Sequence, residues 1–154
     1  MTLWLVRHAK ACSRREWPGA DADRPLDASG REQAEALAER LRSEPIARVL
    51  SSPAVRCQQT VAPLAHRLDL AIELHDALAE GAAPDGAYSL VRQLVGVDTN
   101  VVLSSHGDVI PTLLDDLARH GVALGDRRGC VKGSIWQLDV EAGTIVGAHY
   151  IERA

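Results

Sequence analysis

Two histidines and two arginines of this chain stand where apolar segments end or a helix begins, and their types suit chemistry on an anion. Arg7 and His8 follow the apolar residues 3–6, and His106 follows a second apolar run. Arg56 lies in the first turn of a predicted helix. Arginine offers a planar fork of N–H donors to two oxygens of one anion, and histidine can act as a nucleophile. The four side chains therefore indicate a site for an anionic group such as phosphate.

The apolar segments before the two histidines are predicted to be strands. Residues 3–6 are continuously apolar, and residues 100–104 have the apolar centre Val101-Val102-Leu103, which is typical of parallel strands covered on both faces. Open α/β sheets bind their ligands just beyond the carboxyl ends of such strands. If these first and fourth strands are neighbours, His8 and His106 meet at one edge of the sheet.

The chain alternates strands and helices throughout, which predicts a three-layer α/β/α sandwich with a mostly parallel central sheet. We expect one domain over residues 1–154. The further predicted strands are 46–50, 71–74, 134–139 and 145–151. The predicted N-caps of the four helices are Ser29 (with Glu32 in a capping box), the serine before Pro53, Asp85 and Asp108.

Composition narrows the class of protein. Of the 154 residues, 46% are hydrophobic and 25% charged, which is ordinary for a globular domain with its own core. The net charge of −4 argues against nucleic acid or an anionic membrane as partner, and the 3% of aromatic residues argue against a base-stacking surface. No apolar run approaches the roughly 20 residues of a membrane span. The unpatterned cysteines Cys12, Cys57 and Cys130 fit a cytoplasmic location.

Cations are dense in the irregular segment that follows His8. A loop of this length in a compact domain is often functional. We therefore take Lys10 and Arg15 as candidate substrate contacts, the alternative being a solvated loop, and leave the role of Lys132 open. Residues 9–28 hold Lys10, Arg14, Arg15 and Arg24.

Three segments follow one another along the chain: Leu5-Val6-Arg7-His8-Ala9, Leu50-Ser51-Ser52-Pro53 with Arg56 and Gln59-Thr60, and Ser105-His106-Gly107. In this order they resemble the histidine phosphatase superfamily, whose members share the phosphoglycerate-mutase-like fold. The resemblance covers nearly the whole chain, and Ala9 in place of the usual glycine is similar to the small branch typified by the phosphohistidine phosphatase SixA. Residues 127–136 are similar to the phosphatase domain fused behind a Nudix domain in some nucleotide-hydrolysing proteins.

The resemblance implies a phosphatase that needs no metal and no other cofactor. Neutral His8 would attack phosphorus and form a phosphohistidine, which water then hydrolyses. Arg7, Arg56 and His106 would hold the phosphoryl oxygens in place of a metal cation. Neighbouring arginines also favour the neutral imidazole that this attack requires.

The proton for the leaving group is expected from a carboxylate. The resemblance favours Glu80, in the loop after the third strand. Asp108 is the alternative, because another branch of the superfamily has an aspartate directly after the second histidine, although here Gly107 intervenes. Each residue also has a structural interpretation, Glu80 as a solvated loop carboxylate and Asp108 as a helix cap.

Three functions remain open at this point. The first is a phosphatase acting on phosphohistidine in a protein or on a small phosphomonoester, which suits the short segment between the third and fourth strands and the open pocket that it predicts. The second is a nucleotide or dinucleotide-polyphosphate hydrolase, suggested by residues 127–136. The third is a non-catalytic phosphate-binding regulatory module, against which the nucleophile His8 argues.

Overall fold

The computed structural model describes residues 1–154 and contains six strands and four α-helices. Two short 3₁₀ turns, Asp21–Asp23 and Asp76–Leu78, lie in the loops. None of the helices is long and apolar enough to cross a lipid bilayer. In chain order the elements are β1 (Thr2–Arg7), α1 (Ala28–Leu41), β2 (Arg48–Ser51), α2 (Val55–Arg67), β3 (Ile72–Leu74), α3 (Gly86–Val95), β4 (Val101–Ser105), α4 (Val109–Arg119), β5 (Ile135–Glu141) and β6 (Thr144–Ile151).

The six strands form one sheet in the order β3-β2-β4-β1-β5-β6. The first four of these pair in parallel, and β5 and β6 complete the sheet as an antiparallel pair. β1 and β4 are neighbours, with Arg7 opposite Ser105. The backbone N–H of His8 donates to the Ser105 carbonyl at 2.9 Å. The first and fourth strands are therefore neighbours, and both histidines emerge at the same edge of the sheet.

The sheet is covered on both faces, as the apolar pattern of β1 predicts. Leu3 and Leu5 belong to a buried cluster with α3 and α4, whereas Trp4 and Val6 belong to a second cluster with α1 and α2. Alternate residues of a strand point to opposite faces, so a continuously apolar strand serves both clusters. Burying a leucine stabilises the fold by about 1.5–3 kcal/mol relative to leaving it exposed. The three-layer α/β/α prediction is therefore correct.

The first helix begins earlier than its capping box predicts. Asp27, not Ser29, is the N-cap of α1, and its Oδ1 accepts the Gly30 N–H at 2.7 Å. The reason is that Gly30 packs against the Lys10 carbonyl, where an added Cβ would lie 1.9 Å from the oxygen. This close approach holds the start of α1 against the chain that follows β1.

The second and third helices also differ from prediction at their starts. Helix α2 begins at Val55 rather than Pro53, and its N-cap Ala54 has no side-chain cap. Ser52 is the predicted cap of this helix; its Oγ accepts the N–H of Ala54 at 3.2 Å, ahead of the first helical residue, and also lies 2.8 Å from Nε2 of His106. Asp85 precedes α3 but makes no capping hydrogen bond, whereas Asp108 caps α4 as predicted. Arg56 still lies in the first turn of α2.

Candidate active site

His8 is held at the carboxyl end of β1 in one tautomer. Its side chain is buried, and Nδ1 lies 2.8 Å from the carbonyl oxygen of Ala9. A carbonyl oxygen only accepts, so Nδ1 carries the proton and Nε2 keeps its lone pair. Thr60 on α2 fixes this arrangement, because its Oγ1 accepts the Ala9 N–H at 2.9 Å. His8 is therefore oriented as a nucleophile through Nε2.

The surroundings of His8 keep its imidazole uncharged. Burial is the main cause that lowers the pKa of His8 to about 3, and the hydrogen bond to Ala9 opposes it. Nearby His106, Arg56 and Arg7 lower this pKa further by charge repulsion. A neutral imidazole with a free lone pair is the form that can attack phosphorus.

We expect the His8 ring to stay neutral and protonated on Nδ1 from pH 8 down to pH 5. Long-range ¹⁵N–¹H spectra of the histidine rings measure this, with the His8→Ala protein assigning the signal. A titration midpoint near the ordinary value of about 6.5 would contradict it. Folding lowers this pKa, so as the pH falls the His8 ring binds a proton in the unfolded chain before it does so in the folded protein. The contribution of His8 to the free energy of unfolding therefore declines as pH falls from about 6.5 towards 3.

His106 faces His8 across the same edge of the sheet. The two ring centroids are 5.4 Å apart in an edge-to-face arrangement. Nε2 of His106 lies 2.8 Å from Ser52 Oγ, and Nδ1 lies 3.5 Å from Nη2 of Arg56. Burial lowers the pKa of His106 to about 4, and the charge of Arg56 adds to this shift. Both imidazoles are therefore neutral near pH 7.

Cys57 is the one sulfur group inside this cluster. Its Sγ lies 3.4 Å from Nε2 of His106, and the residue is fully buried. Burial raises the pKa of Cys57 to about 12. The thiol therefore stays protonated and does not compete with His8 as a nucleophile.

Arg56 is almost wholly buried, and its charge is balanced by two carboxylates. Nη1 donates to the Asp21 carbonyl at 2.9 Å, and Nη2 donates to Asp21 Oδ2 at 3.2 Å and Glu80 Oε2 at 3.0 Å. Nε has no partner. A buried guanidinium without such partners would be strongly destabilising. Asp21 and Glu80 thus hold Arg56 beside His106.

Asp21 is a site residue that the sequence analysis missed. Besides Arg56, its Oδ1 accepts from Nε of Arg14 at 2.9 Å and from Nε of Arg24 at 3.1 Å. Burial favours a higher pKa for Asp21, but the bond to Arg24 and the charges of Arg56 and Arg14 hold the pKa below its ordinary value. The sequence could have indicated Asp21, because it lies among the arginines of residues 9–28 and a cluster of arginines needs a counter-charge.

Arg7 lies flat against the residue that follows His106. An added Cβ on Gly107 would lie 2.7 Å from Cζ of Arg7, so a larger residue would push the guanidinium away. Nη1 of Arg7 donates to the Cys130 carbonyl at 2.5 Å, and Nε has no partner. Gly107 therefore separates the second histidine from Asp108 for a steric reason, to admit Arg7.

The two candidate proton donors stand differently at this site. Glu80 faces Arg56 and also pairs with Nη2 of Arg14 at 3.3 Å. Asp108 is engaged by backbone, since Oδ1 accepts from Val109 N–H at 2.8 Å and Oδ2 from Gly81 N–H at 2.9 Å. Asp108 therefore caps α4 and also holds the loop that carries Glu80.

The structure brings the four principal candidates together but not the two loop cations. A cleft of about 370 Å³ is lined by Arg7, His8, Glu80 and Asp108, among others, and buried Arg56 and His106 lie behind it. Lys10 lines a neighbouring cleft. Arg15 is exposed and makes no ion pair or hydrogen bond with the other candidates. No group of three or more His, Cys, Asp or Glu side chains is arranged to hold a metal ion.

The chain belongs to the histidine phosphatase superfamily, whose branch 1 matches residues 3–86. It is 37% identical over 153 residues to an 8-oxo-(d)GTP phosphatase of Mycolicibacterium smegmatis. That alignment covers 97% of this chain and 48% of the relative, so the chain spans about half the length of that protein.

Solved structures share the fold over nearly the whole chain. The protein histidine phosphatase SixA, in complex with tungstate, superposes with a TM-score of 0.78 at 21% identity, covering 98% of this chain and 94% of SixA. A mycobacterial glucosyl-3-phosphoglycerate phosphatase superposes with a TM-score of 0.70 at 18% identity, and the superposition covers 99% of this chain and 97% of that protein. At these identities the likeness establishes the fold alone.

Proposed function

We propose that this protein is a phosphatase that works through a phosphohistidine intermediate on His8. The observation that carries the proposal is the neutral imidazole, with Nδ1 protonated and Nε2 free, in a pocket built from arginines. In the first step Nε2 forms a bond to phosphorus while the bond to the leaving group breaks. In the second, a water oxygen replaces Nε2 and inorganic phosphate departs.

Charge on the transferred group would be stabilised by Arg7, Arg56 and His106. Arg7 lies at the mouth of the cleft, and Arg56 and His106 lie behind it. Arg56 is already held in place by its partners, and a guanidinium in a fixed position stabilises developing oxyanion charge. We assign no step to a metal or another cofactor.

Glu80 is the preferred proton donor for the leaving group. It lines the cleft and contacts Arg56, the residue that the phosphoryl oxygens would engage. A phosphate monoanion on Arg56 would displace the Glu80 carboxylate, which would take up the proton of the phosphate and pass it to the departing atom. Asp108 is less suited, because both of its oxygens accept backbone N–H groups.

Two substrate classes suit the site. Phosphohistidine in a protein or a small phosphomonoester suits the open cleft, which is lined largely by polar residues. A nucleotide or dinucleotide polyphosphate is favoured by the relative that is named an 8-oxo-(d)GTP phosphatase. The three unpaired cysteines support a cytoplasmic location.

Trapping the intermediate tests the proposal directly. We expect a ³²P-labelled monoester, quenched in alkali during turnover, to leave label on His8 that is stable in base and lost in acid. Peptide mapping locates the label. Turnover without such label, or label on another residue, would contradict the proposal. A panel of phosphohistidine peptide, monoester and nucleoside diphosphate then separates the substrate classes.

A further inference from the structure

A second cleft adjoins the one that holds His8. It has a volume of about 710 Å³ and is the larger of the two. Arg7 and Lys132 line both clefts, so they form the boundary between them. A ligand bound at His8 would therefore lie beside two cations that also face the second cleft.

The second cleft gathers the only two lysines of the chain. Lys10 and Lys132 both line it, together with Arg7 and Arg153. Lys132 makes no ion pair, and Lys10 has Asp27 as a partner at 3.5 Å. The one carboxylate side chain on the lining, Glu152, pairs with Arg127 at 2.8 Å. The cleft thus has a surplus of positive charge.

Lys132 is carried on a firmly attached turn. The N–H of Gly133 donates to the carbonyls of Arg7 at 3.1 Å and of His8 at 3.2 Å, so the turn is fixed to the end of β1. Gly133 has a φ of +79°, a conformation that glycine adopts without strain. Lys132 therefore lies beside the end of β1 at a fixed place rather than on a free loop.

The cations around Lys132 repel one another. Partial burial lowers the pKa of Lys132, and Arg7, Arg24 and Lys10 lower it further by charge repulsion. Such crowding is unfavourable unless an anion is bound among the cations. Lysine also suits a phosphate that must be held without a fixed planar geometry.

We propose that Lys132 and Lys10 form a second anion subsite, which takes the phosphate adjacent to the one transferred to His8. The substrate class is then a small molecule that ends in a phosphoanhydride, such as a nucleoside diphosphate. This assignment rests on the proposed function of His8. The polar lining selects the phosphate chain rather than the group attached to it, since none of the lining residues is aromatic.

Binding to the His8→Ala protein tests the subsite without turnover. Calorimetry with inorganic pyrophosphate and inorganic phosphate is expected to show pyrophosphate binding at least about tenfold more tightly, or about 1.4 kcal/mol. Adding Lys132→Met or Lys10→Met should reduce that ratio to below about threefold. Adding Arg92→Met, which removes an exposed cation on α3, should leave the ratio unchanged.

Equal affinity of the His8→Ala protein for the two anions would overturn the subsite. So would an equal loss of both affinities in the Lys132→Met variant, because Lys132 would then serve the transferred phosphate itself. Comparing kcat/KM for ADP and AMP in the otherwise unaltered protein and in its Lys132→Met form extends the test to turnover, with a larger loss expected for ADP. If pyrophosphate is preferred but no phosphohistidine forms, the proposed function fails and the subsite stands.

Discussion

Replacing His8 by alanine is expected to lower kcat for phosphate release by about 10⁵-fold or more, the scale seen when a covalent nucleophile is removed. The reason is that no other group in the cleft can take its place. His106 has its Nε2 at Ser52 and its Nδ1 towards Arg56, and the thiol of Cys57 stays protonated. Steady-state release of phosphate from a monoester measures the effect.

The His8→Ala protein should remain folded, because it replaces a neutral side chain whose bonded partner is a backbone carbonyl. Thermal unfolding checks this. His66→Ala is the matched control, since it removes an exposed imidazole from α2 and should retain full activity. Retained turnover in His8→Ala would contradict the phosphohistidine mechanism. If the His8→Ala protein still fulfils the role of the protein in the cell, that result would support a phosphate-binding module without catalysis.

Replacing Arg56 by alanine is expected to lower kcat by about 10³-fold, at the lower end of the range for arginines in phosphoryl transfer. The side chain is fixed before substrate arrives, so its loss removes both charge and position. Arg56→Lys should recover only part of the rate, because lysine keeps the charge but not the planar fork. Single-turnover kinetics would separate formation of the phosphohistidine from its hydrolysis.

Arg67→Ala on the same helix is the matched control for Arg56. Arg67 pairs with Glu35 and Glu39 on the surface, and such pairs contribute little to stability. We expect this variant to keep its activity and fold. If Arg56→Ala loses less than about tenfold while remaining folded, Arg56 is a structural partner of Asp21 and Glu80 rather than a phosphate ligand.

The positions of the two histidines could be predicted because they depend on local patterns. A continuously apolar strand with polar residues at its end is visible in residues 3–8 and 101–106. Parallel pairing then brings any two adjacent strand ends to one edge of the sheet. The position of Arg56 could be predicted in the same way, because a local sequence motif places it in the first turn of a helix.

Asp21 and the true N-cap of α1 could not be predicted because both depend on where a distant segment folds. Ser29 carries the correct local capping pattern, yet the packing of Gly30 on Lys10 selects Asp27. Asp21 meets Arg56 across 35 positions of sequence. The path of residues 9–28 decides such contacts, and no periodicity in that segment specifies its path.

The carboxylates around Arg56 also bear on how the reaction ends. In the proposed reaction the carboxylates of Asp21 and Glu80 compete with free orthophosphate for Nη2 of Arg56, whereas Nη1 is held by the backbone carbonyl of Asp21. Each carboxylate must give way when the product binds there and can return as it leaves. Under the proposed function we therefore expect product inhibition by orthophosphate to be weaker than the number of positive groups alone would cause.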